Sequence, residues 1–484
     1  MYLGIDLGTS GIKVILMDPN GSLLGSATSS LTVERPKPLF SEQDPAQWWL
    51  GFTNAMDELS AKFDLSKIAA IGLSGQMHGA VLIDDNDKVI RPAILWNDGR
   101  SEAQCHEIEQ AVSNSRDITG NIMMPGFTAP KLLWVKQNEP DNFDQTAKVL
   151  LPKDYLRLLL TGDYASDMSD SAGTLWLNTA TRSWDESILS ACGLTLDHMP
   201  TLFEGSEITG YLLPELSQKW GMQAKVPVIA GGGDNAAGAV GVGLINAGQG
   251  MLSLGTSGVY FVVSDAYSAQ ADKAVHSFCH ALPNKWHLMS VLLSAASCLQ
   301  WFADTIVERD ISELMDELSQ NTIEDDSPYF LPYLSGERTP HNNPHATGAF
   351  FGLTHSTTKL SMLHAVLEGV SFAFADGVDA LHSSGTVATD ISLIGGGTKS
   401  EYWRQMLSDV LNVDLNYREG GDVGPALGAA RLAQIALEQD RTLDDICVQP
   451  KIVKTYQPNA RKVSHYRMRR DKFQQFYHAT KSII

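Results

Sequence analysis

Short apolar stretches alternate along the chain with longer stretches in which apolar residues recur at helical spacing. Buried strands are predicted at residues 68–73, 226–230 and 391–394, and each is followed by a glycine-containing loop. Asp44 and Pro45 indicate a helix start, because Asp is a good N-cap and Pro is favoured at the first helical position. The alternation of strands and helices predicts an α/β fold.

The same pattern predicts further elements in both halves of the chain. The helix that begins at Pro45 is expected to run to about Leu59, with Gln47 completing a capping box. The other predicted elements are a strand at residues 93–96 and helices at residues 236–244, at residues 290–302, from Ser361 or a neighbour to Leu381, at residues 401–411 and after Asp422.

The pentapeptide Leu-Gly-Thr-Ser-Gly occurs twice, at residues 7–11 and at residues 254–258. Each copy lies between two β-prone stretches, which predicts a β-hairpin whose turn exposes backbone N–H groups. Such a turn can bind phosphate, because several N–H donors converge on one anion. Two identical hairpins in 484 residues predict two related domains, residues 1–245 and 246–484, which hold a polyphosphate from opposite sides.

The two copies differ in the residue that precedes them, which is Asp6 in the first and Ser253 in the second. A carboxylate beside a phosphate is unfavourable unless a cation lies between them, so Asp6 indicates a bound Mg²⁺. The alternative is an ordinary hairpin in which Asp6 caps the turn.

A second acid, Asp234, follows a predicted buried strand and three glycines, and Asn235 comes directly after it. Another predicted strand of the same half leads into Met77 and His78. Because ligands bind at the strand ends of an α/β sheet, these four residues are candidates for one site. The alternatives are a helix N-cap for Asp234, a structural role for His78 and a core position for Met77.

Two glycine-rich sequences match nucleotide-binding motifs incompletely. Residues 231–236 fit the dinucleotide pattern G-x-G-x-x-A, but no carboxylate ends the next predicted strand to hold a ribose. Residues 395–400 lack the first glycine of a P-loop, and Thr398 replaces the glycine that should precede Lys399. An NAD-linked dehydrogenase is therefore disfavoured.

Composition limits the partners of the protein. Thirty-six basic and 56 acidic residues give a formal net charge of −20, which argues against nucleic acid and anionic membranes. The five cysteines show no close pairing and no metal-ligand spacing, and Met1 leads directly into the first predicted strand. A cytoplasmic location is expected.

A series of motifs resembles the FGGY family of carbohydrate kinases over essentially the whole length. The motifs are, in order, Asp6-Leu-Gly-Thr-Ser-Gly11, Gln76-Met-His-Gly79, Leu95-Trp-Asn-Asp-Gly-Arg100, Thr128-Ala-Pro-Lys131, Gly231-Gly-Gly-Asp-Asn235, Leu254-Gly-Thr-Ser-Gly258, Ser335-Gly-Glu-Arg-Thr-Pro340, Glu368-Gly369 and Ile394-Gly-Gly-Gly397. Residues 77–78 and 96–100 resemble the branch that acts on D-xylulose. One departure is Ser361, which stands where the family usually has an acid or an amide at a helix start.

The resemblance implies a fold of two actin-like, ribonuclease-H-like domains and ATP-dependent phosphorylation of D-xylulose in the cleft between them. It also implies Mg²⁺, a homodimer and the following roles: Asp234 as catalytic base, Met77, His78 and Asn235 on the sugar, Asp6 on Mg²⁺, Thr9 near the transferred phosphate, Gly255 and Thr256 on the nucleotide phosphates, Gly395, Gly396 and Gly397 against the adenosine, and Ser400 near the adenine or ribose. The open alternatives are a kinase for ribulose, gluconate or glycerol, and a chaperone-like or actin-like ATPase.

Overall fold

The computed structural model describes residues 1–321, 327–419 and 424–483. Its first half is built on one seven-stranded sheet with helices on both sides. The strands of this half are β1 (Tyr2–Leu7), β2 (Gly11–Met17), β3 (Leu23–Ser30), β4 (Glu42–Gln43), β5 (Ala70–Gly75), β6 (Val81–Ile83), β7 (Ala93–Ile94), β8 (Lys148–Leu150), β9 (Ala165–Asp167), β10 (Leu177–Asn178), β11 (Ser183–Trp184), β12 (Thr201–Phe203), β13 (Ile208–Tyr211), β14 (Pro227–Ile229) and β15 (Gly232–Gly233). Its helices are α1 (Pro45–Ser60), α2 (Glu102–Ala111), α3 (Ser115–Thr119), α4 (Thr128–Asn138), α5 (Pro140–Asp144), α6 (Pro152–Thr161), α7 (Met168–Ala172), α8 (Glu186–Cys192), α9 (Pro214–Lys219) and α10 (Asp234–Gly241).

The second half is built on another seven-stranded sheet. Its strands are β16 (Gln249–Leu254), β17 (Gly258–Ser264), β18 (His276–Cys279), β19 (Trp286–Leu292), β20 (Tyr329–Leu331), β21 (Ala349–Phe351), β22 (Asp390–Ile394), β23 (Leu415–Arg418) and β24 (Ile452–Tyr456). Its helices are α11 (Ala296–Trp301), which continues as a π-helical segment, α12 (Ile311–Gln320), α13 (Lys359–His382), α14 (Glu401–Leu411), α15 (Gly424–Leu437), α16 (Leu443–Ile446) and α17 (Ala460–Thr480).

The two sheets share one topology over six strands. The order β13-β14-β5-β1-β2-β3 in the first sheet corresponds to β24-β23-β22-β16-β17-β19 in the second. Corresponding pairs of neighbouring strands run in the same relative direction in both sheets. The strands β14, β5 and β1 are parallel, as are β23, β22 and β16, and the hairpin that carries the pentapeptide is antiparallel in each sheet. The duplication predicted from the repeated pentapeptide is therefore visible in the topology.

Helices α10 and α15 join the two halves. Helix α15 belongs to the second half by sequence, yet it packs on β1 and β5 of the first sheet and crosses α10. The contact is backbone to backbone, since a Cβ on Gly428 would lie 1.7 Å from the carbonyl oxygen of Ala237 and one on Gly72 would lie 1.9 Å from that of Ala429. Glycine is required at such contacts because any side chain would separate the two backbones.

Most predicted elements are present, with shifted bounds, and α14 has the predicted bounds. Three details were wrong. Residues 290–292 belong to strand β19 rather than to a helix, which begins only at Ala296. The N-cap of α13 is Thr358, and Ser361 is its capping-box partner. Gln47 accepts a hydrogen bond from Thr32 instead of completing a capping box.

Two further observations concern the predicted elements and membranes. The predicted start of a helix at Asp422 lies outside the described residues, and α15 is described from Gly424. Within the described ranges, the structure contains no helix of the length and hydropathy needed to span a bilayer.

Candidate active site

The first repeated hairpin places Thr9 in a network of hydrogen bonds. The Thr9 hydroxyl donates to Oε1 of Gln76 at 3.1 Å and accepts from Nε1 of Trp96 at 2.9 Å. Its carbonyl oxygen accepts from Nε2 of Gln43 at 2.6 Å. Three segments of the first half, those of Gln43, Gln76 and Trp96, therefore fix the conformation of the turn. A turn of fixed conformation can hold its N–H donors in place for an anion.

Asp6 lies at the end of β1, beside that turn. Its Oδ1 atom is buried and has no hydrogen-bond partner among the described residues. The pKa of Asp6 is raised to about 7, mainly by burial and also by the nearby charge of Asp234, while Lys13 acts in the opposite direction. A buried, unpartnered carboxylate oxygen is unfavourable unless a ligand completes the site.

Asp234 is the first residue of α10, and its N-cap is Gly233. Its Oδ1 atom accepts hydrogen bonds from the backbone nitrogen and from Nδ2 of Asn235, at 2.7 and 2.9 Å. Burial raises the pKa of Asp234 to about 6, whereas both hydrogen bonds from Asn235 lower it. Burial is the largest of these influences on the pKa of Asp234.

A buried ionic network, which sequence reasoning missed, supports the segment before Asp234. Ser169 Oγ accepts from the backbone nitrogen of Gly233 at 3.1 Å and donates to Oδ2 of Asp167 at 2.5 Å. Lys153 Nζ lies 2.7 Å from Oδ1 of Asp167 and 2.5 Å from Oδ1 of Asp154, and all three side chains are inaccessible to solvent. The available signal was a pair of opposite charges within the apolar stretch 149–160.

A cavity of about 180 Å³ lies beside Asp234. The predicted residues Met77, His78 and Asn235 line it together with Asp234, so the structure brings these four together. The close packing of Met77 depends on Gly233, because a Cβ on that residue would lie 2.9 Å from Sδ of Met77.

His78 presents one hydrogen-bonding nitrogen to this cavity. Its Nδ1 atom lies 2.7 Å from the carbonyl oxygen of Gly173 and therefore carries the proton. Burial lowers the pKa of His78 to about 3, despite the opposing hydrogen bond to Gly173, so the ring is neutral at physiological pH. Its Nε2 atom is then an acceptor for a hydroxyl group.

The opposite wall of the cavity comes from the second half of the chain and was also missed. It contains Val259, His276, Phe278, Met289, Val291 and Arg338. The alternating pattern of β18 could have indicated that His276 and Phe278 share a face, but no sequence signal shows which half that face meets. The cavity is thus formed only when both halves come together.

The second repeated turn lies against the glycine sequence that follows β22. A Cβ on Gly395 would lie 2.8 Å from the carbonyl oxygen of Leu254, and one on Gly397 would lie 2.6 Å from Cγ of Leu254. The carbonyl oxygens of Gly255 and Thr256 accept from Ala296 and Ala295 at the start of α11, which fixes the turn. These contacts bring the two predicted nucleotide-binding segments together.

A second cavity, of about 780 Å³, adjoins the glycine sequence. Three residues predicted to contact the nucleoside line it, namely Gly396, Gly397 and Ser400. Ser400 is also the N-cap of α14, where its hydroxyl accepts from the backbone nitrogen of Trp403. The remaining walls of this second cavity include apolar residues of α12 and Tyr402.

The residues around Asp6 fit a magnesium ion that is held mainly by substrate and water. Among the described residues there is no group of three or more His, Cys, Asp or Glu side chains that could form a complete metal site. Mg²⁺ in phosphoryl-transfer sites needs only one or two carboxylates, with phosphates and water as the remaining ligands. The unpartnered Oδ1 of Asp6 is such a donor.

Two matching turns on matching sheets, with a carboxylate beside a small cavity that both halves line, fit an ATP-dependent phosphotransferase that acts on a small polyhydroxylated molecule. Comparisons with known proteins agree. Residues 1–241 match the N-terminal domain of the FGGY family of carbohydrate kinases, and residues 250–437 match its C-terminal domain. The chain belongs to the FGGY family of carbohydrate kinases, and the expected fold of two related actin-like domains is confirmed.

Individual relatives are similar over their full length. The chain is 57% identical to a xylulose kinase of Escherichia coli (strain K12) over 99% of this chain and 98% of the relative. A solved structure of a "xyloylose kinase" from Brucella ovis has 48% identity and a TM-score of 0.96 over 100% of both chains. A gluconate kinase from Lactobacillus acidophilus has 26% identity and a TM-score of 0.91 over 99% of this chain and 97% of that one.

Proposed function

We propose that this carbohydrate kinase transfers the γ-phosphoryl group of ATP to the O5 hydroxyl of D-xylulose, giving D-xylulose 5-phosphate and ADP. The observation that carries the proposal is the Asp234 carboxylate on the wall of a 180 Å³ cavity that a five-carbon sugar can fill. The names of the two most similar relatives described above support the choice of sugar.

Asp234 acts as the base in this reaction. A sugar hydroxyl is a far weaker acid than a carboxylic acid, so its proton cannot be removed in a separate first step. Phosphoryl transfer passes through a loose transition state, in which the proton leaves late. Asp234 therefore orients the O5 hydroxyl toward the γ-phosphorus and accepts the proton as the O–P bond forms.

The remaining sugar contacts follow from the polar groups on the cavity wall. Neutral His78 offers Nε2 as an acceptor for one hydroxyl. Asn235 keeps one of its Nδ2 hydrogens on Asp234, and its Oδ1 atom can accept from a second hydroxyl. Met77 and the apolar wall of the second half exclude water, which would otherwise compete with the sugar as the phosphoryl acceptor.

Backbone groups and Mg²⁺ hold the nucleotide. We assign the phosphates to the two repeated turns, with Thr9 near the γ-phosphate and Gly255 and Thr256 near the others, because both turns offer N–H donors. The adenosine then occupies the 780 Å³ cavity that Gly396, Gly397 and Ser400 line, with Gly395 next to it in sequence. Mg²⁺ would be held by Asp6 and would neutralise phosphate charge.

A magnesium titration tests the role of Asp6. Replacing Asp6 with Ala removes the carboxylate that the metal needs, so half-maximal turnover should require a higher Mg²⁺ concentration. The measurement is ADP formation against Mg²⁺ concentration at saturating sugar. A titration curve that coincides with that of the unchanged protein would rule out Asp6 as the metal ligand.

A substrate panel tests the proposed function. The purified protein is assayed for ADP formation with ATP, Mg²⁺ and each of D-xylulose, D-ribulose, D-gluconate and glycerol, and also without any sugar. We expect the highest kcat/KM with D-xylulose. A higher value for another compound would identify a different sugar kinase, and ATP hydrolysis that no sugar changes would indicate a chaperone-like or actin-like ATPase.

We also propose a cytoplasmic homodimer. All five cysteines are buried as free thiols, which suits a reducing compartment. Light scattering after size-exclusion chromatography tests the dimer, and a mass of one chain would contradict it.

A further inference from the structure

Arg338 is a cation on the wall of the cavity beside Asp234, and it forms no ion pair with a carboxylate of the described residues. It lies in the loop between β20 and β21 and lines the cavity from the second half. Within residues 1–321, 327–419 and 424–483, no carboxylate lies within ion-pair distance of its guanidinium, in contrast to Arg100, which pairs with Asp98 at 2.7 Å. The neighbouring Glu337 attracts Arg338 electrostatically without pairing with its guanidinium. Its Oε1 atom accepts from the backbone nitrogens of Arg338 and Leu293, and its buried Oε2 atom has no hydrogen-bond partner among the described residues.

One side-chain contact orients the Arg338 guanidinium. Its Nη1 atom lies 3.4 Å from Nε2 of His276, and Nδ1 of His276 lies 2.9 Å from Oδ1 of Asn121. His276 therefore donates from Nδ1 and accepts at Nε2, so Arg338 is the donor of the longer contact. No other side-chain hydrogen bond of Arg338 is found among the described residues, so further N–H groups are left for a molecule in the cavity that it lines.

Arg338 and Asp234 lie on different parts of the cavity wall. A row of rings leads from His276 to Phe127 at 5.6 Å between centroids and from Phe127 to His78 at 4.5 Å. Asp234 lies on the side of Met77 and Gly233 instead. The pKa values are consistent with this separation of Arg338 from Asp234. The charge of Arg338 contributes to the lowered pKa of His78, whereas burial and the hydrogen bonds from Asn235 set the pKa of Asp234.

The chemistry of the proposed substrate indicates what lies at the far end from Asp234. In a 2-ketopentose, O5 is the ring oxygen of the furanose form, so a molecule that is phosphorylated on O5 must react as the open chain. The open chain carries a carbonyl oxygen on C2, three carbons from the reacting C5. A carbonyl oxygen only accepts hydrogen bonds, and a guanidinium only donates them.

We propose that Arg338 donates a hydrogen bond to the C2 carbonyl oxygen of the open-chain sugar and is thereby a specificity-determining residue for 2-ketoses. This inference rests on the proposed phosphorylation of D-xylulose. Because the bond joins a cation to a carbonyl in a cavity shielded from water, it is stronger than a bond between neutral groups. The half of the chain that is proposed to bind the nucleotide thus also contributes to recognition of the sugar.

The test compares two substrates and two proteins. D-xylulose is compared with 2-deoxy-D-threo-pentitol, which has the same configuration at C3 and C4 and no oxygen on C2. With the unchanged protein, kcat/KM should be about 10- to 100-fold lower for the deoxy compound. In Arg338→Met, kcat/KM for D-xylulose should fall by a similar factor, and the two substrates should differ by less than about threefold.

Two further variants separate this role from a structural one. Arg338→Lys keeps the charge but loses the planar fork, so its preference for D-xylulose should lie between those of the other two proteins. Arg431→Met is the control, because Arg431 is a buried arginine that donates to backbone carbonyls of α10 away from the cavity. It should lower the melting temperature without changing the ratio of the two kcat/KM values.

Several outcomes would overturn the inference. Equal losses for both substrates in Arg338→Met would mean that Arg338 acts on the phosphate or on the fold, and no loss would mean that it makes no such contact. An unchanged protein that does not distinguish the two substrates would also overturn it, even if both variants fail to fold. Absence of turnover with D-xylulose, or a preference for D-gluconate, whose carboxylate also suits arginine, would instead contradict the proposed function.

Discussion

At the scale of single residues, the site depends on two carboxylates in different surroundings. Asp6 has an unpartnered buried oxygen and a pKa of about 7, whereas Asp234 is hydrogen-bonded by Asn235 and has a pKa of about 6. Burial is the main cause in both cases. Under the proposed function, a pKa of about 6 suits Asp234 as the base, since a base is most effective when its pKa lies close to the working pH.

Replacing Asp234 with Asn should lower kcat by about 10²- to 10⁴-fold, because the amide cannot accept the sugar proton. Sugar affinity should change little, since the Asn side chain keeps an oxygen for the two hydrogen bonds from Asn235. Turnover is measured with D-xylulose and ATP, and sugar affinity by calorimetry. Asp44→Asn is the control, because this N-cap of α1 lies away from the cavity and Asn caps equally well.

The pH dependence of the unchanged protein provides a second test of Asp234. Below its pKa of about 6 the carboxyl is protonated and cannot act as a base, so kcat/KM should decrease as the pH falls through about 6. A plateau that continues down to pH 5, or near-normal turnover in Asp234→Asn, would show that another group is the base.

Asp6 should cost the substrate-free protein stability at neutral and higher pH. The pKa of Asp6 is higher in the folded than in the unfolded protein. The contribution of this carboxyl group to stability is therefore fully present below the unfolded pKa, and it is lost as the pH rises through the folded pKa of about 7. Asp6→Asn should therefore raise the melting temperature more at pH 8 than at pH 4. Equal shifts at both pH values would contradict the raised pKa.

At the scale of elements, the two repeated hairpins were predictable because a turn flanked by β-prone residues is a local feature. Residues 290–292 were assigned to a helix because their apolar pattern fits both element types. The structure places them in β19, where Val291 and Ser290 pair with Val259 and Tyr260 of β17. Pairing with a strand 30 residues away in sequence outweighed local preference.

The crossing of α10 and α15 should tolerate no side chain at Gly428. A Cβ there would lie 1.7 Å from the carbonyl oxygen of Ala237, so Gly428→Ala should separate the helices and destabilise the protein by roughly 1–3 kcal/mol or more. Thermal and urea unfolding measure the effect. Gly238→Ala is the matched control on α10, since its Cβ would lie 3.9 Å from Pro425 and Ala favours helix; similar losses in both variants would contradict the close contact.

At the scale of the whole molecule, the cavity beside Asp234 is made by both halves. Met77, His78 and Asp234 come from the first, and His276 and Arg338 come from the second. A ligand that contacts both halves favours the conformation in which they are close together. Domain closure should therefore accompany binding and exclude water from the phosphoryl group.

Small-angle X-ray scattering can measure this closure. The radius of gyration should decrease when D-xylulose and a non-hydrolysable ATP analogue are both added. Arg338→Met should show a smaller decrease with sugar alone, because its contact from the second half is removed. An unchanged radius with both ligands would show that the halves are already closed without them.

The sequence by itself determined the features that depend on neighbouring residues: the alternation of strands and helices, the two repeated hairpin turns, and the acids near the end of β1 and at the start of α10. Met77, His78, Asp234 and Asn235 were predicted to share one site because each follows a strand end in one half of the chain, and they line one cavity. Only the tertiary structure decided that Arg338 and His276 complete the same cavity and that Lys153, through Asp167 and Ser169, supports the segment before Asp234. The reason is physical: chain connectivity does not specify which surfaces of the two halves face each other, and burial, which sets the pKa values of Asp6 and Asp234, exists only after those surfaces have met.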